Sequence, residues 1–343
     1  MSTPDEKGND SYIVPLVKLR YYVESQKAVD LYNALRSGVY GQDAALRKAS
    51  IMIYAYLVNA ANRNYRDRMN FLIIGKSGSG KSTFAEQLKK CLPIPVFTID
   101  GSTLAPSGYK GSSLGDALAA KMSESSFQEW QGLGICLIDE LDKAMQPQQC
   151  STPDYHRYTQ ESMLTAFDGG TTLDKDGHVI DCSRLLFIGL GAFSQIREEL
   201  NQPEKQVIGF SCADAHHRRR KERLITKEDL VRHCGSEQFV GRFVDVLHFQ
   251  PLGREVFEKM VDDAVAEINA IYGPWSITRH RRDAFVEKAM SSDFGGRSIR
   301  SEVWSFYMCG DHAITKADIE RTSHPNSAEP FNLPEWDIRT LGA

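Results

Sequence analysis

The run from Gly75 to Ser82 constrains the fold of this chain more than any other feature. It reads GKSGSGKS and matches the phosphate-binding pattern G-x-x-x-x-G-K-S at every fixed position. A short apolar stretch, 70–74, precedes it, and apolar residues at helical spacing follow it: Phe84, Ala85, Leu88, Cys91 and Leu92. The run therefore predicts a strand, a glycine-rich turn and the first turn of a helix.

Such a turn suits a polyphosphate because backbone N–H groups and the positive end of a helix dipole converge on it. Lys81 would contact the β- and γ-phosphates, and Ser82 would hold Mg²⁺. A dinucleotide fingerprint is excluded because its last glycine is missing, and the flanking strand and helix signals disfavour a plain glycine turn. We therefore predict a nucleoside triphosphate site formed by Gly75, Gly78, Ser79, Gly80, Lys81, Ser82 and Thr83.

Size and composition are those of an ordinary globular protein. The chain has 343 residues, of which 41% are hydrophobic and 25% are charged, and this length favours two domains. No apolar stretch is long enough to cross a membrane, and the first residues lack a signal-peptide pattern. The seven cysteines are scattered without a C-x-x-C pair, so we expect neither a disulfide framework nor a zinc knuckle, and a reducing cytoplasm fits best.

The charge balance argues against a protein that coats nucleic acid. The formal net charge is −4, although residues 216–221 form a local basic run, HHRRRK. Such runs are usually solvated loop or helix faces, and a contact with a polyanion or a partner protein is the alternative. We therefore expect no membrane or nucleic-acid partner.

Short β-rich runs alternate with helical segments through the middle of the chain. Strands are expected at 71–74, 96–99, 135–138, 185–188 and 244–249. This alternation predicts a parallel sheet wrapped by helices, with ligands beyond the carboxyl ends of the strands. Helices are expected at 23–35 and 42–61, and after Pro251 helical periodicity dominates. The predicted fold class is α/β, followed by a small, mainly helical domain.

Two carboxylates follow the apolar run 134–138. Asp139 would hold Mg²⁺ through water, and Glu140 would orient and activate the attacking water, because phosphoryl transfer depends on positioning and charge neutralisation. A solvated turn is the alternative, and the phosphate loop disfavours it. Positive charge is also needed near the γ-phosphate. Arg242 and Arg297 are candidates, but the residues alone do not separate them from surface arginines.

Several segments together resemble the AAA+ unfoldases of the ClpX and HslU group. They occur in the family's order between about residues 39 and 308, and include 39–42 (VYGQ), 107–111 (SGYKG), 134–143 (GICLIDELDK) and 186–193 (LFIGLGAF). The resemblance implies that Val39 and Tyr40 contact adenine. It also implies that Arg242 is an arginine finger for a neighbouring subunit and that Arg297 is the sensor 2 residue. A homo-oligomeric, hexameric ring with a P-loop AAA+ sheet would follow.

The same resemblance implies two contacts with other proteins. Tyr109 and Lys110 occupy the aromatic pore loop, where a tyrosine flanked by glycines can press against any polypeptide. The alternative is a tyrosine that caps a surface loop. Ile208, Gly209 and Phe210 lie where ClpX docks its partner peptidase. The alternative, which is equally open, is that these three residues form a short buried strand.

The sequence also departs from the family. We expect no counterpart of the N-terminal zinc-binding domain of ClpX or of the inserted domain of HslU. Residues 171–178 look like a short hairpin with an Asp-Gly turn, without the basic triplet of the second pore loop. The expected organisation is an N-terminal extension, 1–38, a large nucleotide-binding domain, 39–252, a small domain, 253–320, and an extended tail, 321–343.

The function that this reading favours is a Mg²⁺-dependent ATPase that unfolds or remodels proteins by threading them through the pore of a ring. Its partners would be protein substrates, with a ClpP-like peptidase or an adaptor as a further option. Two alternatives remain open: an ATP-switched assembly scaffold that does not thread protein, and a nucleic-acid-dependent AAA+ ATPase. The sequence names neither the client nor the size of the ring.

Overall fold

The computed structural model describes residues 10–104, 112–145, 155–201, 223–234, 236–292 and 296–309. Its helices are α1 (Asp10–Ser25), α2 (Ala28–Arg36), α3 (Asp43–Ala61), α4 (Lys81–Cys91), α5 (Leu114–Met122), α6 (Ser125–Glu129), α7 (Leu141–Met145), α8 (Tyr155–Phe167), α9 (Ser194–Asn201), α10 (Lys227–Cys234), α11 (Glu237–Val240), α12 (Arg254–Tyr272), α13 (Arg279–Ser291) and α14 (Arg297–Cys309). Its strands are β1 (Phe71–Gly75), β2 (Val96–Asp100), β3 (Gly134–Asp139), β4 (Thr171–Leu173), β5 (Val179–Asp181), β6 (Leu185–Gly191) and β7 (Asp245–Phe249).

Five of these strands form one parallel sheet in the order β2-β3-β6-β1-β7. The central strands β1 and β6 are buried along their whole length, as expected when helices cover both faces of a parallel sheet. Strands β4 and β5 pair separately as the antiparallel hairpin that the sequence predicts. The predicted α/β fold class is confirmed.

The sheet separates two hydrophobic cores, because alternate residues of a strand face opposite sides. In β1, Phe71 and Ile73 pack in the core that helices α1–α4 cover. Leu72 and Ile74 pack in the second core, which contains residues of α5, α7, α8, α10 and α11. Both cores therefore hold β1 rigidly just before the glycine-rich run begins.

The N-terminal region differs from the expected single helix at 23–35. The structure has two helices there, with a break between α1 and α2. Lys27 has extended backbone angles, and its N–H donates to Asp30 Oδ2 at 2.8 Å. A carboxylate that captures the N–H three residues earlier begins a new helix. Asp30 therefore starts α2 where hydrophobic periodicity alone suggests a continuous helix.

The chain divides into two compact units, and the second contains Phe257–Ser292 and residues 296–309. Its helices bury Val261, Ile268, Val286 and Val303 against one another. The structure thus has the small helical region expected after the sheet, whereas the exact domain boundaries remain predictions. None of the described helices is long and apolar enough to span a membrane.

A buried amide joins three parts of the large unit. Asn70 Nδ2 donates to the Phe167 carbonyl at the end of α8, and the Phe187 N–H of β6 donates to Asn70 Oδ1, both at 3.0 Å. The Asn70 carbonyl also accepts from the Val244 N–H at 2.7 Å. Asn70 therefore fixes the end of α8 to the sheet just before β1 starts.

We expect the substitution Asn70→Leu to lower the free energy of unfolding by about 2–4 kcal/mol, because it leaves the buried Phe187 N–H and Phe167 carbonyl unpaired. Urea unfolding followed by circular dichroism measures the loss. The matched control is Asn64→Leu, at an exposed site where a change of about 0.5 kcal/mol or less is expected. Equal losses in the two variants would contradict the assigned role of Asn70.

Candidate nucleotide site

The glycine-rich run forms the turn between β1 and α4, as the sequence predicts. β1 ends at Gly75, and α4 begins at Lys81. Gly78 and Gly80 have φ values of 75° and 99°, and at Gly80 this left-handed backbone directly precedes the helix. A side chain at Gly80 would be strained there. The two residues after Lys81, Ser82 and Thr83, are exposed in the first turn of α4.

The polar groups of this loop fit a phosphate ligand. Lys81 Nζ donates to the carbonyls of Gly75 at 2.6 Å and Lys76 at 3.1 Å, so the ammonium group lies over the loop. Ser79 is only 2% exposed, and its Oγ has no hydrogen-bond partner among the residues that the structure describes. The loop therefore combines a helix N-terminus, a cation and an unsatisfied buried hydroxyl.

Gln42 holds the loop in place, and sequence reasoning missed it. Its side chain is buried, and Nε2 donates to the carbonyls of Ser79 at 3.0 Å and Gln250 at 2.8 Å. Its Oε1 accepts from the Gln250 N–H at 2.8 Å. A single amide thus fastens the phosphate loop to the segment after β7. Its place in the VYGQ run could have marked Gln42 as a candidate. The role of its side chain could not be predicted, because its partners are distant in sequence.

Of the two residues predicted to contact adenine, Val39 lies beside the loop. Val39 is 1% exposed, and its Cγ1 lies 3.7 Å from the position that a Cβ on Gly80 would take. Tyr40 is half-buried in the turn between α2 and α3. The structure brings Val39 to the phosphate loop, and adenine contact by either residue remains a prediction.

The carboxylates Asp139 and Glu140 lie at the same edge of the sheet as the phosphate loop. Ile138 of β3 and Leu72 of β1 both pair with Gly189 of β6, so β3 ends at the level of Ile73, about two residues before β1 ends at Gly75. With one strand between them, their separation is about 10 Å. Asp139 Oδ1 accepts from the Glu140 N–H at 3.0 Å, and Glu140 is exposed with φ of 51°. A strained backbone at an exposed acid is typical of functional sites.

Asp142 stabilises the end of β6, between the loop and the carboxylates. It is 4% exposed, and its Oδ2 accepts from the Phe193 N–H at 3.2 Å. Phe193 has φ of 50°, so this hydrogen bond holds an unfavourable turn in place. Asp142 lies within the GICLIDELDK run, but nothing in that run indicates that its side chain faces β6 rather than solvent.

Arg242 lies at the opposite edge of the sheet from its own phosphate loop. It precedes β7, whose first residue, Asp245, pairs with Phe71 at the start of β1, whereas Gly75 pairs with Phe249 at the far end. The length of β1, about 13 Å, therefore separates the end of the sheet that carries Arg242 from the end that carries the phosphate loop. The guanidinium group contacts Asp168, with Nη2 donating to Oδ2 at 2.7 Å. The sequence did not single out Asp168.

The other predicted residues are divided between the second unit and undescribed segments. Arg297 is the exposed first residue of α14, in the second unit. Tyr109 and Lys110, the three residues at 208–210 and the basic run 216–221 lie outside the described residues. Their predicted roles remain predictions.

The residues that flank 105–111 are held together. Leu104 and Ser112 form a β-bridge, and the Ser112 N–H donates to the Thr103 carbonyl at 3.1 Å. Gly101 begins a short 3-10 helix after β2, and a Cβ there would lie 2.7 Å from the Asp139 carbonyl. The segment before the predicted pore loop therefore lies against the backbone of Asp139, one of the two carboxylates predicted to act at the nucleotide.

Comparison with known families shows to which family the chain belongs. The family model described as AAA domain (Cdc48 subfamily) matches residues 66–246, more than half of the chain. The chain belongs to the AAA family of ATPases. The matched region includes the phosphate loop, the two carboxylates and Arg242, and the predicted nucleotide-binding ATPase activity is confirmed at the level of the family.

This AAA+ ATPase is similar to several proteins named ATP-dependent Clp protease ATP-binding subunit ClpX. The relative from Porphyromonas gingivalis is 24% identical over 82% of this chain and 76% of its own length. ClpX 2 from Wolinella succinogenes is 23% identical over 80% and 74%, and the Bacteroides fragilis relative is 22% identical over 83% and 76%. These matches confirm the resemblance to Clp-type AAA+ ATPases that the sequence motifs indicate.

Replacing Gln42 by Met should weaken ATP binding by about tenfold, equivalent to about 1.4 kcal/mol, because the loop loses its hydrogen bond to the amide. Calorimetric titration of the folded variant with ADP, which the site cannot hydrolyse further, measures the change in nucleotide affinity. The control is Gln87→Met, whose amide bonds to the Ala34 carbonyl at 2.9 Å and not to the loop. Wild-type affinity in a folded Gln42→Met variant would refute the role of the amide.

Proposed function

We propose that this ATPase is a Mg²⁺-dependent protein unfoldase or remodeller that acts as a homo-oligomeric, hexameric ring. Its relatives are named as ATP-binding subunits of a Clp protease, which supports a substrate that is protein. The proposed large domain is 39–252 and the proposed small domain is 253–320. A cytoplasmic location accords with the free thiols of Cys91 and Cys309.

The chemistry at the nucleotide is hydrolysis by an activated water. Lys81 would hold the triphosphate, Ser82 and Asp139 would hold the metal, and Glu140 would accept the proton of the attacking water. When bound, Mg²⁺ would neutralise charge on the phosphate oxygens. The gap of one strand between the loop and the carboxylates supports this division of roles, because it leaves space for the phosphates.

The position of Arg242 is the observation that carries the proposal of a ring. Strand β1 separates Arg242 from the phosphate loop of its own subunit, so its guanidinium group cannot stabilise charge on its own nucleotide. An arginine that stabilises the γ-phosphate from another molecule acts as a finger in trans. Head-to-tail contacts between identical subunits supply such an arginine to every site when the ring closes. Arg297 is proposed to sense the same phosphate from the small domain.

Work on the substrate is proposed to occur at the segment that contains Tyr109 and Lys110. The β-bridge between Leu104 and Ser112 closes the base of this segment. Gly101 touches the Asp139 carbonyl at the other end of the connection, so a shift at the hydrolytic pair reaches the base of the pore loop. Docking of a ClpP-like peptidase through 208–210 or recruitment through an adaptor would extend this function.

Replacing Glu140 by Gln should abolish ATP hydrolysis while retaining ATP binding, because the amide cannot accept the proton. Loss of about 100-fold or more in kcat is expected. Phosphate release measures turnover, and native mass spectrometry of the variant with and without ATP should show that ATP promotes a ring. Unchanged hydrolysis would remove Glu140 from its role, and a monomer in both states would contradict the shared site.

Replacing Tyr109 by Ala should leave ATP hydrolysis within about twofold of wild type and abolish unfolding of a folded fluorescent substrate, because the aromatic contact area is lost. The control is Tyr21→Ala, at an exposed residue of α1. Retained unfolding by Tyr109→Ala would contradict the pore-loop assignment. Stimulation of the ATPase by unfolded protein supports threading, whereas stimulation by DNA or RNA instead would contradict it.

A further inference from the structure

Arg242 and Asp168 form an ion pair with two nitrogen–oxygen contacts. Nη2 donates to Oδ2 at 2.7 Å, and Nε lies 2.5 Å from Oδ1. The Nη2 contact is a hydrogen bond, whereas the buried Nε has no hydrogen-bond partner among the described residues and approaches Oδ1 only as an ion pair. A charged hydrogen bond and a close ion-pair contact together restrict where the guanidinium group lies. The side chains are 36% and 49% exposed, and a pair this exposed adds little to folding stability. Its main consequence is therefore the orientation of Arg242.

The backbone of Asp168 is held firmly enough to serve as an anchor. Asp168 follows α8 directly, and its N–H donates to the Leu164 carbonyl at 2.9 Å. The preceding Phe167 is buried, stacks on Phe187 with ring centroids 4.6 Å apart, and receives the hydrogen bond from Asn70 at its carbonyl. The backbone that carries the Asp168 carboxylate is therefore held in a fixed position beside the sheet.

The backbone of Arg242 is held by the same aromatic cluster. Phe239 and Phe243 lie three residues before and one residue after Arg242, and both are fully buried. Their rings lie 5.4 Å and 5.6 Å from the ring of Phe167. The carboxylate and the guanidinium group thus extend from one rigid cluster. A third contact, from Arg242 Nη1 to the Gln238 carbonyl, is longer at 3.4 Å.

We propose that Asp168 is the positioning residue for Arg242. It holds the guanidinium group through the hydrogen bond from Nη2 and the close approach of Oδ1 to Nε, so that the group meets the nucleotide of the neighbouring subunit in a restricted range of orientations. An arginine side chain without this carboxylate samples many orientations, and loss of alignment of about 1 Å can lower a rate by about 100-fold. This inference rests on the proposed function, in which Arg242 completes a site in trans.

The test compares Asp168→Ala in two backgrounds, wild type and Arg242→Ala, using the full chain at concentrations where the ring is assembled. In the wild-type background, kcat for ATP should fall about 10- to 100-fold, while KM changes by about twofold or less. In the Arg242→Ala background, Asp168→Ala should cause no further fall. Native mass spectrometry confirms that each variant assembles.

Two further variants keep the test decisive. Asp168→Asn preserves the size of the side chain and removes its charge, so it replaces Asp168→Ala if that variant fails to fold. The matched control is Asp262→Ala, because Asp262 makes the same double contact with Arg282, at 2.7 Å and 2.6 Å, in the other unit. This control should leave kcat unchanged.

The outcomes separate this inference from the proposed function. If Arg242→Ala retains full activity, the finger itself is refuted. If Arg242→Ala strongly lowers kcat but the Asp168 variants keep wild-type kcat, or exceed it, only the positioning role is refuted. An equal fall on Asp168→Ala in both backgrounds also refutes it, because Asp168 would then act independently of Arg242.

Discussion

The parallel direction of all five strands is the constraint on which this structure depends. The carboxyl ends of all five strands lie at one edge of the sheet. The loop after β1 and the carboxylates at the end of β3 therefore lie at the same edge, with β6 between them. The same constraint sends the segment before β7, with Arg242, to the opposite edge. One subunit therefore carries the proposed hydrolytic residues at one edge and Arg242, paired with Asp168, at the other, a polarity that suits the proposed head-to-tail assembly.

Sequence reasoning was strongest where local pattern decides structure. The phosphate loop, the acidic end of β3 and the five strands could be predicted because hydrophobic runs, glycines and charges lie within short windows. The break between α1 and α2 was not predicted, because a single hydrogen bond from Lys27 to Asp30 overrides the hydrophobic period. Domain boundaries and the roles of the arginines depend on long-range arrangement, and pattern alone does not fix them.

The residues that sequence reasoning missed share one physical property: their partners are distant in the chain. Gln42 bonds to Gln250, Asp142 to Phe193, and Asp168 to Arg242. Each is a polar side chain that fastens one functional segment to another. A polar side chain also occurs in many solvated positions, so its type alone carries little information. Only the fold shows that these groups contact the loop, the end of β6 beside the carboxylates, and the predicted finger Arg242.

The most direct test of the shared site mixes equal amounts of two variants that each hydrolyse ATP poorly, Glu140→Gln and Arg242→Ala, and measures ATP hydrolysis of the mixed rings. A subunit with Arg242→Ala keeps its own Glu140 and can receive Arg242 from a Glu140→Gln neighbour, so activity should reappear at about one quarter of the interfaces. Recovery on mixing is the result this account predicts. Mixed rings as inactive as each variant alone would show that both residues serve the same subunit's nucleotide, and would contradict it.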